Sequence, residues 1–166
     1  RTISEEAIAI EGLKNSINAD FVKCVELILK SDGRVVVTGI GKSANIAAKI
    51  VSTLNSTGTQ AVFMHAADAV HGDLGMIRQE DIIICLSKSG DSPEIKVLAP
   101  LLKIQGNTLV AIVGNTESYL ARQADLVHLH LPQLDAAPVA LIARLLGKPV
   151  VLTYHCDLRL PQGLIH

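Results

Sequence analysis

At 166 residues the chain has the length of one domain with its own hydrophobic core, inside the roughly 50 to 250 residues usual for such a unit. Fifteen Lys and Arg against sixteen Asp and Glu leave no basic excess to neutralise a polyphosphate backbone, which argues against a nucleic-acid partner. Although 49% of residues are apolar, no run approaches the roughly 20 that a membrane-spanning helix needs, so a soluble protein without a membrane partner is expected.

The opening RTISEEAIAIEG is amphipathic and acidic and lacks the features of a secretory signal, which points to a cytoplasmic protein. Ile3, Ala7, Ile10, Leu13, Ile17, Phe21, Cys24, Val25 and Ile28 then recur at helical spacing, predicting one or two helices over 3–30, with Asn18 or Asp20 capping the second. Short runs rich in Val, Ile and Leu follow at 34–38, 60–64, 81–86, 107–113, 126–131 and 149–154, as strands buried on both faces require. Helical patterns at 43–56, 92–104, 118–124 and 137–146 separate most of them, and a longer polar connection occupies 65–80. The alternation predicts a three-layer α/β fold, a doubly wound open parallel sheet of five to six strands in a single domain spanning 1–166, with ligands expected at the carboxyl ends of the strands. Cys24, Cys85 and Cys156, odd in number and without close pair spacing, read as reduced thiols, and no metal site or cofactor is expected. With two Phe, two Tyr and no Trp, recognition falls to polar contacts.

The first strand ends in Thr38-Gly39-Ile40-Gly41-Lys42-Ser43 and runs into a helix, a place where glycines permit close approach and unpaired N–H groups attract phosphate. A Walker A loop fails, because its first glycine falls at Val36. Gly39, Gly41 and Ala44 satisfy G-x-G-x-x-[GA], but the second strand ends near His65 without the acidic residue of a dinucleotide site; that reading and a ligand-free tight turn stay open as alternatives. The third strand ends in Ser87-Lys88-Ser89-Gly90-Asp91-Ser92-Pro93-Glu94, where Ser92 or Asp91 caps a helix that Pro93 starts. Capping explains one such residue, not Ser87, Ser89 and Ser92 together, so a second oxyanion cradle is expected.

GIGKS, STGT (56–59), HAADAVHGDLGMI (65–77) and SKSGDSPEI (87–95), in this order, resemble the sugar-phosphate isomerase (SIS) domain and, within it, the arabinose-5-phosphate isomerases, over about residues 1–127. Gln60, Asp68 and Lys88 stand where that family often has Pro, Glu and Asn. The resemblance implies a flavodoxin- or Rossmann-like fold and a sugar phosphate or phosphate anion as ligand. Gly41, Lys42, Ser43, Ser87, Ser89, Gly90 and Ser92 would hold it, with Glu94, Lys42 and His71 as catalytic candidates. It also implies a site completed across subunits, hence a homo-oligomer. Glu94 has a plainer reading as a first-turn carboxylate favoured by the helix dipole, His71 as a turn or interface residue, and His65 as a packed imidazole.

After Asp125 the expected continuation of that family is replaced. Residues 125–163 resemble a strand-helix-strand piece of a GT-B glycosyltransferase, with His155 in its T-[YF]-H segment, so a recombined or engineered chimera joined near 124–130 is expected. On this reading the unit 128–163 extends the sheet of 1–127, anion binding persists, and isomerisation is weak or absent; a scaffold without native activity is the rival.

Overall fold

The computed structural model describes residues 2–12, 19–131 and 150–154. Two helices, α1 (Thr2–Gly12) and α2 (Ala19–Lys30), precede the sheet. Then follow β1 (Val35–Gly39), α3 (Lys42–Ser56), β2 (Ala61–His65), the one-turn α4 (Ala66–Ala69), β3 (Ile82–Ser87), α5 (Pro93–Ile104), β4 (Thr108–Val113), α6 (Tyr119–Gln123), β5 (Leu126–Leu131) and β6 (Val150–Tyr154). A 3-10 turn, Asp73–Met76, lies in the β2–β3 connection. Each strand from β1 to β5, and β6 at the far edge, falls within a residue of where the apolar runs place it. The 137–146 helix and His155 lie outside the described residues, as does Asn18. Asp20 sits inside the first turn of α2 rather than before it, so it is not the cap that the spacing suggests.

The six described strands form one parallel sheet in the order β2-β1-β3-β4-β5-β6. Strand alternation sends successive side chains to opposite faces, and two cores result. On one face Val35, Val37, Ile82, Ile84, Leu86 and Val110 pack under α2 (Cys24, Leu27, Ile28) and α3 (Ala47, Ile50, Val51, Leu54). On the other, Val36, Ile83, Cys85, Leu109, Ala111 and Val113 pack under α4, α5 and α6 through Ala66, Ala69, Ile95, Leu98, Leu102 and Leu120. The buried positions of α5, Ile95, Leu98, Ala99 and Leu102, follow the three-and-four spacing of one helical stripe. Among the described residues no helix is long and apolar enough to cross a membrane.

The chain leaves β1 toward β2 at one edge, and leaves β3 toward β4 and the opposite edge. Connections of one hand that run in opposite directions lie on opposite faces, which is why α3 and α5 sandwich the sheet. The neighbouring pair β1–β3 is therefore the topological switch point, and its carboxyl end is where open α/β sheets form a crevice.

Candidate functional site: the carboxyl ends of β1 and β3

β1 and β3 pair from Val35↔Ile82 to Gly39↔Leu86, so the two glycine- and serine-rich loops start from adjacent points on the sheet rim. Packing there is tight. A Cβ on Gly39 would lie 3.0 Å from the Ser43 carbonyl carbon and 3.1 Å from the Leu86 oxygen, so a side chain there would force α3 and the end of β3 apart by a few tenths of an ångström. Gly41 takes a φ of 57° at the N-cap of α3. The Ser43 and Ala44 N–H groups donate to the Ile40 and Gly41 carbonyls, so part of this loop's donor capacity is already used.

The β3–α5 loop is held from within and from its neighbour. Ser87, buried, accepts the Gly90 N–H at 3.0 Å, and Ser89 Oγ accepts the Asp91 N–H at 3.3 Å. The Gly114 N–H donates to the Lys88 carbonyl and the Leu120 N–H to the Gly90 carbonyl, both at 3.0 Å, while Asp91 Oδ1 accepts the Tyr119 N–H at 3.3 Å. Gly90 has a φ of 70°, and a Cβ there would overlap the Ser118 side chain. The β4–α6 loop is thus a third wall of this region. Its sequence, G-N-T-E-S after a strand with a serine before a helix, carries the same kind of signal as the other two loops.

Ser92 stands at the N-cap of α5 and Pro93 at its first position, as predicted, but the Ser92 side chain makes no cap bond. Its Oγ is buried and has no hydrogen-bond partner among the described residues. The first-turn N–H groups of α5 that such a hydroxyl ordinarily satisfies are left to another acceptor. At α6, by contrast, Ser118 does cap, accepting the Ala121 N–H at 3.3 Å. Two further hydroxyls at the same end of the sheet, Thr38 Oγ1 at the end of β1 and Thr116 Oγ1 in the β4–α6 loop, are buried and unpartnered among the described residues. An unsatisfied buried hydroxyl costs about 1–3 kcal/mol, so three at one rim of the sheet define a region suited to an added polar ligand.

Of the acid–base candidates, Lys42 opens α3 with its side chain exposed, and Glu94 is half-buried in the first turn of α5. His71 is exposed at a turn whose N–H donates to the Asp68 carbonyl. That turn leaves β2 at His65, which pairs with Gly39 on the other side of β1, so Lys42, His71 and Glu94 all arise from connections that begin at one end of the sheet. No described hydrogen bond or ion pair joins these three side chains. His65 packs edge-on to Phe63 with ring centroids 6.4 Å apart, the packed-imidazole reading, with Asp68 Oδ2 3.9 Å from its Nδ1.

The opposite end of the sheet carries structural chemistry instead. Asp81, immediately before β3, is fully buried and accepts the Arg34 N–H at 2.8 Å, the Arg78 N–H at 2.9 Å and Arg34 Nη2 at 2.7 Å. Burial alone would raise its pKa, yet the Arg34 guanidinium and the two backbone donors outweigh that and hold the carboxyl below its ordinary value. Arg34 Nη2 also donates to the Met76 carbonyl at 2.8 Å, so this pair anchors the far end of the connection that carries His71. Cys85, inside β3, is a free thiol pushed up to about 12 by burial, which keeps it protonated and unreactive. Cys24 is also free, its pKa raised by burial, while Cys156 lies outside the described residues. Among the described residues no group of three His, Cys, Asp or Glu is placed to hold a metal ion.

A doubly wound parallel sheet with two loop-to-helix junctions at its switch point defines a class of α/β ligand-binding domain. More narrowly, the chain belongs to the SIS-domain family, whose model matches residues 27–145. It is 50% identical over 125 residues to the arabinose 5-phosphate isomerase KdsD of Pseudomonas aeruginosa, covering 75% of this chain and 38% of that protein. It is 46% identical over 141 residues to KdsD of Yersinia pestis, covering 84% of this chain and 42% of that protein. A structure from Escherichia coli CFT073, in complex with arabinose 5-phosphate, superposes with a TM-score of 0.69 at 38% identity, over 75% of this chain and 66% of that one. The chain spans about two fifths of the length of the curated relatives it matches.

Proposed function

We propose that the crevice between the β1–α3 and β3–α5 loops binds a pentose phosphate of the arabinose 5-phosphate type, on a domain of aldose–ketose isomerase ancestry. The observation that carries this is the start of α5, where Ser92 Oγ is buried without a partner among the described residues and the helix's leading N–H groups are uncapped, one strand away from Gly41, Lys42 and Ser43. A phosphate at this point would satisfy those donors and interact favourably with the positive end of the helix dipole. Ser89 and Ser92 supply hydroxyls, Ser87 and Gly90 shape the loop, and Lys42 contributes charge from the opposite wall. The similarity to arabinose 5-phosphate isomerases and the sugar-phosphate complex of the E. coli relative support this choice of sugar.

Aldose–ketose interconversion removes a proton from the carbon beside the carbonyl and returns it to the neighbouring carbon, with an enediolate oxygen to be stabilised between the two steps. Glu94 is the proton carrier in this reading, and Lys42 or His71 faces the developing negative charge. On this reading turnover is weak or absent, because the residues after Asp125 depart from the isomerase pattern and proton transfer is sensitive to small misplacement. The rival reading, a chimeric scaffold joined near residues 124–130, rests on the residue pattern after Asp125, and the family match that runs on to residue 145 weighs against it. A dinucleotide ligand has no acidic residue at the end of β2 to support it.

Calorimetric titration with arabinose 5-phosphate and with inorganic phosphate tests the proposal, alongside an assay for ribulose 5-phosphate formation with Glu94→Gln as control. Binding that Ser89→Ala reduces is the expected result. Indifference to both ligands, or protection by NAD(H) alone, overturns it.

A further inference from the structure

Lys88 is the residue of the β3–α5 loop that neither the fold nor the proposed phosphate cradle uses. Its backbone is held, since its carbonyl accepts the Gly114 N–H at 3.0 Å, yet its side chain is exposed and has no ion-pair or hydrogen-bond partner among the described residues. Lys42 is in the same condition on the neighbouring loop. The two lie two and three residues beyond the paired positions Leu86 and Gly39, so both cations stand at the rim of the same strand pair.

The other charges at this end do not neutralise them. Asp91, the acid nearest in sequence, is engaged by Lys96 Nζ at 3.5 Å and by the Tyr119 N–H. Glu94 lies in the first turn of α5, Glu117 is exposed on the β4–α6 loop, His71 and Asp73 are exposed on the β2–β3 connection, and His65 and Asp68 sit together at the end of β2. Two lysines without a described partner, at a rim already lined with unpartnered hydroxyls, suit an anion, and a doubly charged anion interacts with them more strongly than a singly charged one.

We propose that Lys88 is a specificity residue of the crevice, pairing with Lys42 so that the site selects the dianionic form of a phosphomonoester over its monoanion. The inference rests on the function proposed above and deepens it. Lys88 acts through long-range charge rather than as a proton carrier, so it governs affinity and leaves any chemical step to other groups.

Titration of arabinose 5-phosphate into the wild-type chain, Lys88→Met, Lys88→Arg and Lys49→Met tests it at about pH 8 and about pH 5, on either side of the second ionisation of a phosphomonoester near about pH 6. Lys49 is exposed on α3 beyond its first turn, so Lys49→Met removes the same net charge away from the rim. Lys88→Met should weaken binding about two- to fivefold at the higher pH, the range of an exposed ion pair, and much less at the lower. Lys88→Arg should restore affinity, Lys49→Met should leave it unchanged, and salt at about 1 M, where the screening length is about 3 Å, should abolish the difference. Wild-type affinity in Lys88→Met at the higher pH, or an equal loss in Lys49→Met, overturns the assignment. If the wild-type chain binds no sugar phosphate, the proposed function falls with it; if Ser89→Ala loses binding and Lys88→Met does not, only the role of Lys88 falls.

Discussion

Replacing Gly90 by alanine should damage the protein in a way that the same change at Gly41 does not. Both glycines have a positive φ, 70° and 57°, with Gly41 at a ψ of −125°, so a side chain at either strains the backbone at a cost of about 1–3 kcal/mol. The surroundings then separate them. Nothing lies within 4 Å of a Cβ built on Gly41, whereas one on Gly90 would sit 2.5 Å from Ser118 Cβ and overlap its hydroxyl. Ser118 is buried and caps α6, and losing such a cap costs about 1 kcal/mol. Pushing it aside also strains the Leu120–Gly90 and Tyr119–Asp91 bonds that hold the two loops together. Gly90→Ala should therefore lose about 2–4 kcal/mol and Gly41→Ala about 1–3 kcal/mol, the smaller loss of the two, in urea-induced unfolding followed by circular dichroism. A Gly90→Ala protein that matches Gly41→Ala within about 0.5 kcal/mol would show that the β3–α5 and β4–α6 loops are not braced on each other.

Ser92 and Ser118 make a matched pair for the same instrument. Because Ser92 caps nothing and its hydroxyl is buried without a partner among the described residues, Ser92→Ala should leave stability unchanged or raise it by up to about 1–3 kcal/mol while weakening phosphate binding, and Ser118→Ala should lose about 1 kcal/mol. Equal destabilisation of the two would remove the argument that the start of α5 awaits an external acceptor. Asp81→Asn should cost about 3 kcal/mol at neutral pH, the low end for breaking a buried ion pair, since Arg34 keeps some access to water. Its pH dependence follows from the lowered pKa. The native state binds fewer protons than the unfolded chain, so the Asp81 contribution is fully present above the unfolded value of about 3.9 and is lost as pH falls through the lower native value. Acid unfolding of Asp81→Asn should accordingly have a shallower pH dependence below about pH 4; an unchanged acid limb would assign that stability to other carboxylates.

Strands such as β3 and β4 were legible because they are short apolar runs closed by glycine or a polar residue, and burial on both faces leaves little else for IIICLS or TLVAIV to become. Their order was not written locally. It follows from which way the chain turns after β1 and after β3, and only the assembled sheet places Gly39 beside Leu86. Loop chemistry divided in the same manner. Spacing located Ser92 at the head of α5, but it could not reveal that this hydroxyl stays unpaired while Ser87 turns inward to the Gly90 N–H and Asp91 reaches across to Tyr119. Those partners are set by how the β4–α6 loop docks, a contact between segments far apart in sequence. Thr38 and Thr116 carry no local signal of their role for the same reason, since a threonine at a strand end or in a loop is ordinary until its surroundings leave the hydroxyl alone.

The alignment of β3 against β1 carries more than sheet stability. Leu86 and Ser87 face opposite sides of the sheet, and the loop beyond inherits its orientation from them. Slipping this strand by a single position would bring Ser87 under α3, turn Leu86 toward α5, and shift the lysine and serines that follow by one place around the rim. An insertion or deletion of one residue anywhere in Ile82–Ser87, well away from any ligand, is thus a change of binding chemistry, and the length of this strand should tolerate variation less than that of the β2–β3 connection.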